Sequence, residues 1–199
     1  MEHLTPYRKQ WSLEELKDIS ITTFFLSLIF GFLLFRGGVG VGLESFLYSM
    51  FIAFVAVGIS FIGHELAHKL LAIHYKCLTQ FKTDIKMLLV GLFMAIFMPF
   101  IFIVPGGVII TNVRKKEYMG KIALAGPLVN MVFAGLFWLL LQVHTHMLFE
   151  YGIFINSWLA FFNMLPFGGF DGKKVLDWDR NIYFVAMGIS AVLFLMHYF

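Results

Sequence analysis

The sequence predicts an all-α membrane protein with about five transmembrane helices and one re-entrant or interfacial segment at 87–104. Three observations predict it. The first is composition: 60% of the 199 residues are hydrophobic and only 14% are charged, against about 25% charged in ordinary soluble domains. Mean hydropathy is correspondingly high, at +0.84. The second is a series of long apolar runs, and the third is where the basic residues fall between them.

The runs are 19–35, closed by Arg36, then 46–73, 87–104, 119–142, 151–167 and 182–199. A span needs about 17–25 residues at a rise of 1.5 Å each, so all six qualify by length. Charge separates the third from the rest. If all six cross from a cytoplasmic N-terminus, seven Lys/Arg lie inside and eight outside, which is no bias. If 87–104 enters and leaves by one face, fourteen lie inside and only Arg36 lies outside. The bias of cytoplasmic loops toward Lys and Arg selects the second arrangement. Pro99 agrees, because proline removes a backbone donor and breaks helices. Both the N-terminus and the ends of the second and fifth spans then face the cytoplasm, as expected of a multi-pass protein of the cell membrane.

The rest of the chain excludes several classes. A lone cysteine, Cys77, leaves no disulfide framework and no Cys-rich zinc ribbon. The polar start, of mixed charge, does not read as a cleaved signal peptide. A net charge of +3 is too small to imply nucleic acid. Gly37, Gly38, Gly40 and Gly42 form a turn and not a phosphate loop, since no strand precedes them and no Lys-Ser/Thr follows. No internal repeat divides the chain, so 1–199 reads as a single domain. Nothing in the sequence sets an oligomeric state.

The chemistry centres on His64-Glu65-Leu66-Ala67-His68. Residues four apart share a helix face, so both imidazoles can reach one metal ion. A carboxylate beside them can exchange a proton with water. Such a motif arises by chance in about one chain in a hundred of this composition. Three ionisable groups late in a long apolar helix are costly and point to a function. A catalytic zinc takes three protein ligands. The charge-derived topology brings Asp171, just past the fifth run, to the depth of His64 and His68. Asp177 and Asp179 lie farther along a polar loop and remain open as ligands. His144 and His146 fall on the opposite face, two residues apart. His74 is off the motif's face.

Asn163-Met-Leu-Pro166-Phe-Gly-Gly-Phe-Asp171-Gly172 resembles the N-x-x-P-x-x-x-x-D-G motif of the site-2 protease family, the zinc metalloproteases of regulated intramembrane proteolysis. His64–His68 matches that family's H-E-x-x-H, and Ala125-Gly126-Pro127-Leu128 a further signature. The resemblance covers roughly residues 46–180. It departs at Lys173, where a glycine often follows D-G, and it shows no PDZ-like or CBS-like module, which implies a minimal core. It implies one zinc ion held by His64, His68 and Asp171, with Glu65 as the acid–base and Asn163 near the substrate carbonyl. It also implies a short membrane-embedded strand near 105–112, in which Gly106, Gly107 and Val108 approach the substrate. The expected partners are a transmembrane-helix protein substrate and membrane lipid. Asn130 reads as a helix–helix hydrogen bond. The rival reading is a metal-binding membrane protein without proteolysis, such as a metal carrier. A carrier needs ligands along a path, whereas these cluster at one depth.

Overall fold

The computed structural model describes residues 11–38, 40–98 and 105–196. Its elements in chain order are α1 (Leu13–Arg36), α2 (Leu43–His74), β1 (Leu78–Thr83), α3 (Ile85–Phe97), β2 (Gly106–Thr111), α4 (Lys116–Val143), α5 (Met147–Asn163), α6 (Asp171–Trp178) and α7 (Arg180–Leu195). Among the described residues, α1, α2 and α4 are long and apolar enough to cross a membrane. Their outward faces carry Phe51, Phe54, Val132 and Leu136, all exposed. Helices apolar on all sides fit a lipid environment rather than water.

α2 is the central helix. It packs antiparallel to α1, so that Gly31 of α1 lies against Met50. It also packs antiparallel to α4, where Gly63 meets Phe133 and Asn130 bonds the Ser60 carbonyl. α5 returns along α4, with Gly152 against the Phe137 ring. α2 and α5 therefore run the same way and end near each other.

The start of α1 is fixed by a reciprocal cap. The Ser12 hydroxyl accepts from the Glu15 N–H, and the Glu15 carboxylate accepts from the Ser12 N–H. The other Glu15 oxygen accepts from Lys69 Nζ at 2.7 Å and from the Phe81 N–H at 3.0 Å. Lys69 is fully buried and lies under the Trp11 ring. One carboxylate thus joins α1, α2 and β1.

β1 and β2 pair antiparallel, from Leu78 with Thr111 to Thr83 with Gly106. The Asp84 N–H also donates to the Pro105 carbonyl. The segment between the strands therefore begins and ends at one place. α3 occupies its first part and runs alongside α1 in the same direction. Thr83 bonds Thr22 and the Asp18 carbonyl at one end. At the other, Arg36 donates to the carbonyls of Ala95, Ile96 and Met98. Those are C-terminal carbonyls that a helix cannot satisfy itself. The expected segment 87–104 is thus helical over its described part, while Pro99 and the rest of 99–104 lie outside the described residues.

The structure differs from the sequence expectation in three places. β1 was not anticipated. The fifth run, expected to reach residue 167, is helical only to Asn163, where a turn leads into α6. The loop expected around Asp177 and Asp179 is instead helix α6 and the N-cap of α7, in which Asp179 accepts from the Asn181 and Ile182 N–H groups. Such short polar helices have no apolar run to announce them.

Removing one partner of a buried ion pair costs about 3–5 kcal/mol, because the other is left unpaired. Glu15→Gln and Lys69→Met should each lower the thermal midpoint in detergent. The double variant should regain most of the loss. A double variant as unstable as the sum of both singles would show that the pair contributes nothing as a pair.

Candidate metal centre

His64 and His68 lie one turn apart on α2, and their rings project to the same side. Asp171 is the first residue of α6 and reaches them from the end of α5. Their ligand atoms converge. His64 Nε2 and His68 Nε2 are 2.9 Å apart, and Asp171 Oδ2 is 3.0 Å from His68 Nε2 and 3.4 Å from His64 Nε2. All three residues are buried. Asp177, Asp179, His74, His144 and His146 are not in this group; His146 caps α5 by accepting from the Leu148 N–H.

Two hydrogen bonds set the imidazole tautomers. His68 Nδ1 is 2.7 Å from the Ile122 carbonyl, which can only accept. His64 Nδ1 is 2.5 Å from Asn130 Oδ1. The Asn130 amide is oriented by its Nδ2, which donates to the Ser60 carbonyl and to Asn156 Oδ1. Both Nδ1 atoms therefore carry the proton, and both Nε2 atoms present lone pairs. Two lone pairs and a carboxylate oxygen pointed at one buried spot repel unless a cation lies among them. Tetrahedral ligands at 2.0–2.2 Å from a zinc ion stand ~3.4 Å from each other, and the observed separations approach that spacing. The donor set fits a metal ion.

Asp171 is buried, and its carboxylate faces the Lys174 ammonium. It is an anion here, and its place at a helix N-terminus favours that charge. Lys174 Nζ donates to Asp171 Oδ1 at 2.9 Å.

Two glycines make the approach possible. A Cβ at Gly126 would fall on His68 Nε2 and 2.5 Å from His64 Nε2. Any side chain there would press on both ring nitrogens where they converge. A Cβ at Gly172 would strike the Met164 carbonyl and lie 2.7 Å from the Leu165 oxygen. The glycine after Asp171 thus lets α6 start against the turn that ends α5. Pro127 sits in the same stretch of α4, where it removes one backbone donor near the carbonyl that His68 uses.

Glu65 is buried beside the histidines, and its Oε2 accepts from the Val108 N–H at 3.0 Å. Val108 pairs with Phe81, whose own N–H points away to Glu15. Both N–H groups leave the ladder, so the N–H and C=O groups of Gly106, Val108 and Ile110 form the outer edge of β2, where Glu65 takes the Val108 N–H. Gly106 has φ +118°, and a Cβ there would meet the Lys82 carbonyl oxygen. Gly107 passes close to the Glu65 carboxylate. A cavity of about 250 Å³ joins β2, Glu65 and the three converging residues. Leu26, Phe61, Trp158 and Phe162 form its apolar walls, and Asn163 lines it too. The Asn163 Nδ2 donates to the Leu159 carbonyl of its own helix at 2.9 Å.

The structure thus gathers His64, Glu65, His68, Asp171, Gly106, Gly107, Val108 and Asn163 around one space. Sequence reasoning missed three contributors. Asn130, read as a helix–helix bond, does join helices, but it also orients His64. A signal existed: Asn130 stands four residues after Gly126 and so on the same face of α4. The Ile122 carbonyl had no signal, since every residue has one. Lys174 stood three after Asp171, which is one turn of a helix that had not been expected.

No protein-family model matches the sequence, and no solved structure matches it. A protein of Methanocaldococcus jannaschii named "Putative zinc metalloprotease MJ0611" is 33% identical over 194 residues, covering 94% of this chain and 96% of the relative. By that identity and coverage, this chain belongs to the family of the Methanocaldococcus protein, whose name is that of a zinc metalloprotease.

Proposed function

We propose that the chain is an intramembrane zinc endopeptidase of the site-2 protease type, hydrolysing peptide bonds within or near transmembrane helices of other proteins. The observation that carries the reading is the position of Glu65. Its carboxylate lies beside the three converging residues and on the outer edge of β2, in one cavity. An acid–base group, a candidate metal position and an edge for an extended peptide thus share one space.

In this reading His64, His68 and Asp171 hold one zinc ion. A zinc ion so held makes water more acidic and polarises a carbonyl. Glu65 takes the water proton as the water oxygen adds to the scissile carbonyl carbon. It then gives that proton to the amine nitrogen as the C–N bond breaks. Asn163 has a second amide hydrogen beyond the one given to Leu159, and it donates to the carbonyl oxygen as charge develops there. The substrate helix unwinds locally and pairs along Gly106, Val108 and Ile110 as an added strand. Unwinding frees the carbonyls that a helix keeps bonded internally.

The relative's name supports zinc and peptide hydrolysis. The apolar faces of α1, α2 and α4 support the membrane. For the membrane arrangement we propose five spans, formed by α1, α2, α4, α5 and α7. The β1–α3–β2 excursion returns to its starting face, as the pairing of Thr83 with Gly106 supports. The N-terminus and the site then lie toward the cytoplasm.

Glu65→Gln keeps the size and removes the base. It should retain zinc and lose about 10²–10⁴-fold in cleavage of a transmembrane substrate, the usual contribution of a general acid–base. Unchanged cleavage would overturn the protease reading. For topology, Lys115→Cys in a Cys77→Ser background should react with an impermeant thiol reagent only from the cytoplasmic side. Reaction from outside would break the five-span arrangement.

A further inference from the structure

The two oxygens of Asp171 face different groups. Oδ2 points at the two imidazole nitrogens, and Oδ1 accepts from Lys174 Nζ at 2.9 Å. Lys174 stands one turn along α6, and its side chain reaches the rim of the cavity, 37% exposed. The ammonium end is partly in solvent, which limits what the pair adds to stability. What it does is occupy an oxygen.

A carboxylate can meet a metal through one oxygen or both. Through one, the His64, His68 and Asp171 side chains fill three positions of a four-coordinate zinc and leave the fourth open. Through both, the protein fills four, and water must compete for a crowded fifth. The backbone of α6 cannot supply the restraint that keeps Oδ1 away. Gly172 is wedged against the Met164 and Leu165 carbonyls, which fixes where Asp171 starts but not how its carboxylate turns. Lys173 cannot supply it either, because it is exposed and paired with Asp177.

We propose that Lys174 is a positioning residue: by holding Oδ1, it keeps Asp171 a one-oxygen ligand and preserves the open position. The inference rests on the metal reading above. It makes the Asp171–Lys174 pair the device that separates a catalytic site from a closed structural one.

The test uses the purified full chain in detergent with cobalt(II) in place of zinc. Four-coordinate cobalt absorbs visible light several times more strongly than five-coordinate cobalt. The native chain should give the intense spectrum. Lys174→Met and Lys174→Leu, which have no donor, should each keep one cobalt per chain but absorb severalfold more weakly, with cleavage by the zinc form reduced. Lys174→Arg, which can still donate to Oδ1, should restore the intense spectrum. Neutral variants with the native spectrum would overturn the proposal even if their cleavage fell. So would neutral variants that fold, by circular dichroism, yet bind no cobalt. Asp171→Ala separates the two levels: if it leaves the native spectrum unchanged, the metal assignment itself is wrong, and Lys174 is not the point at issue.

Discussion

His64 and His68 each give an Nδ1–H to a buried acceptor, and this turns both Nε2 lone pairs toward the Asp171 carboxylate. Three acceptors meeting away from water are tolerable around a cation and costly without one. Much of the fold reads as the means of enforcing that meeting. α2 supplies the two imidazoles at helical spacing. α4 passes close enough, at Gly126, to orient both from behind through Asn130 and Ile122. α5 ends at the right depth, and Gly172 lets α6 begin where Asp171 must stand. The buried amide chain from His64 through Asn130 to Asn156 and the Gly152 carbonyl fixes one tautomer across three helices. Partners of this kind fix the tautomer and orientation of an imidazole.

The second layer of organisation is the two-stranded sheet. Glu15 binds β1 from one side, through Phe81, and Glu65 binds β2 from the other, through Val108. Each carboxylate accepts a backbone N–H that points out of the ladder. Glu15 is locked by Lys69 and buried at a helix start, so its strand is anchored. Glu65 faces the cavity, so its hold on β2 is one that an incoming strand can share. The same sheet brings the two ends of the α3 excursion together, through the pairing of Thr83 with Gly106 and the bond from the Asp84 N–H to the Pro105 carbonyl.

The convergence of His64, His68 and Asp171 was legible in the sequence because charge and periodicity act over whole helices. His64 and His68 are four apart, and the count of basic residues puts Asp171 at their depth. The strand at Gly106–Thr111 was legible through its likeness to a known motif. β1 was not: Leu78–Thr83 is short and partly polar, and only its partner and Glu15 make it a strand. α6 was hidden for a related reason, since eight residues with Lys173, Lys174 and Asp177 read as a polar loop. The orienting role of Asn130 was half visible; its helix position could be read, but the ring it bonds lies on another helix. Contacts between helices depend on rotation about their axes, which an all-apolar pattern leaves undetermined.

The central claim is that His64, His68 and Asp171 form a zinc site rather than a buried hydrogen-bonded triad. Elemental analysis of the full chain, purified from membranes without added metal or chelator, tests it most directly. The account predicts one zinc per chain, falling to none in a His64→Ala, His68→Ala double variant that keeps its helix content. A native chain that carries no zinc and takes up none at stoichiometric concentration would contradict it.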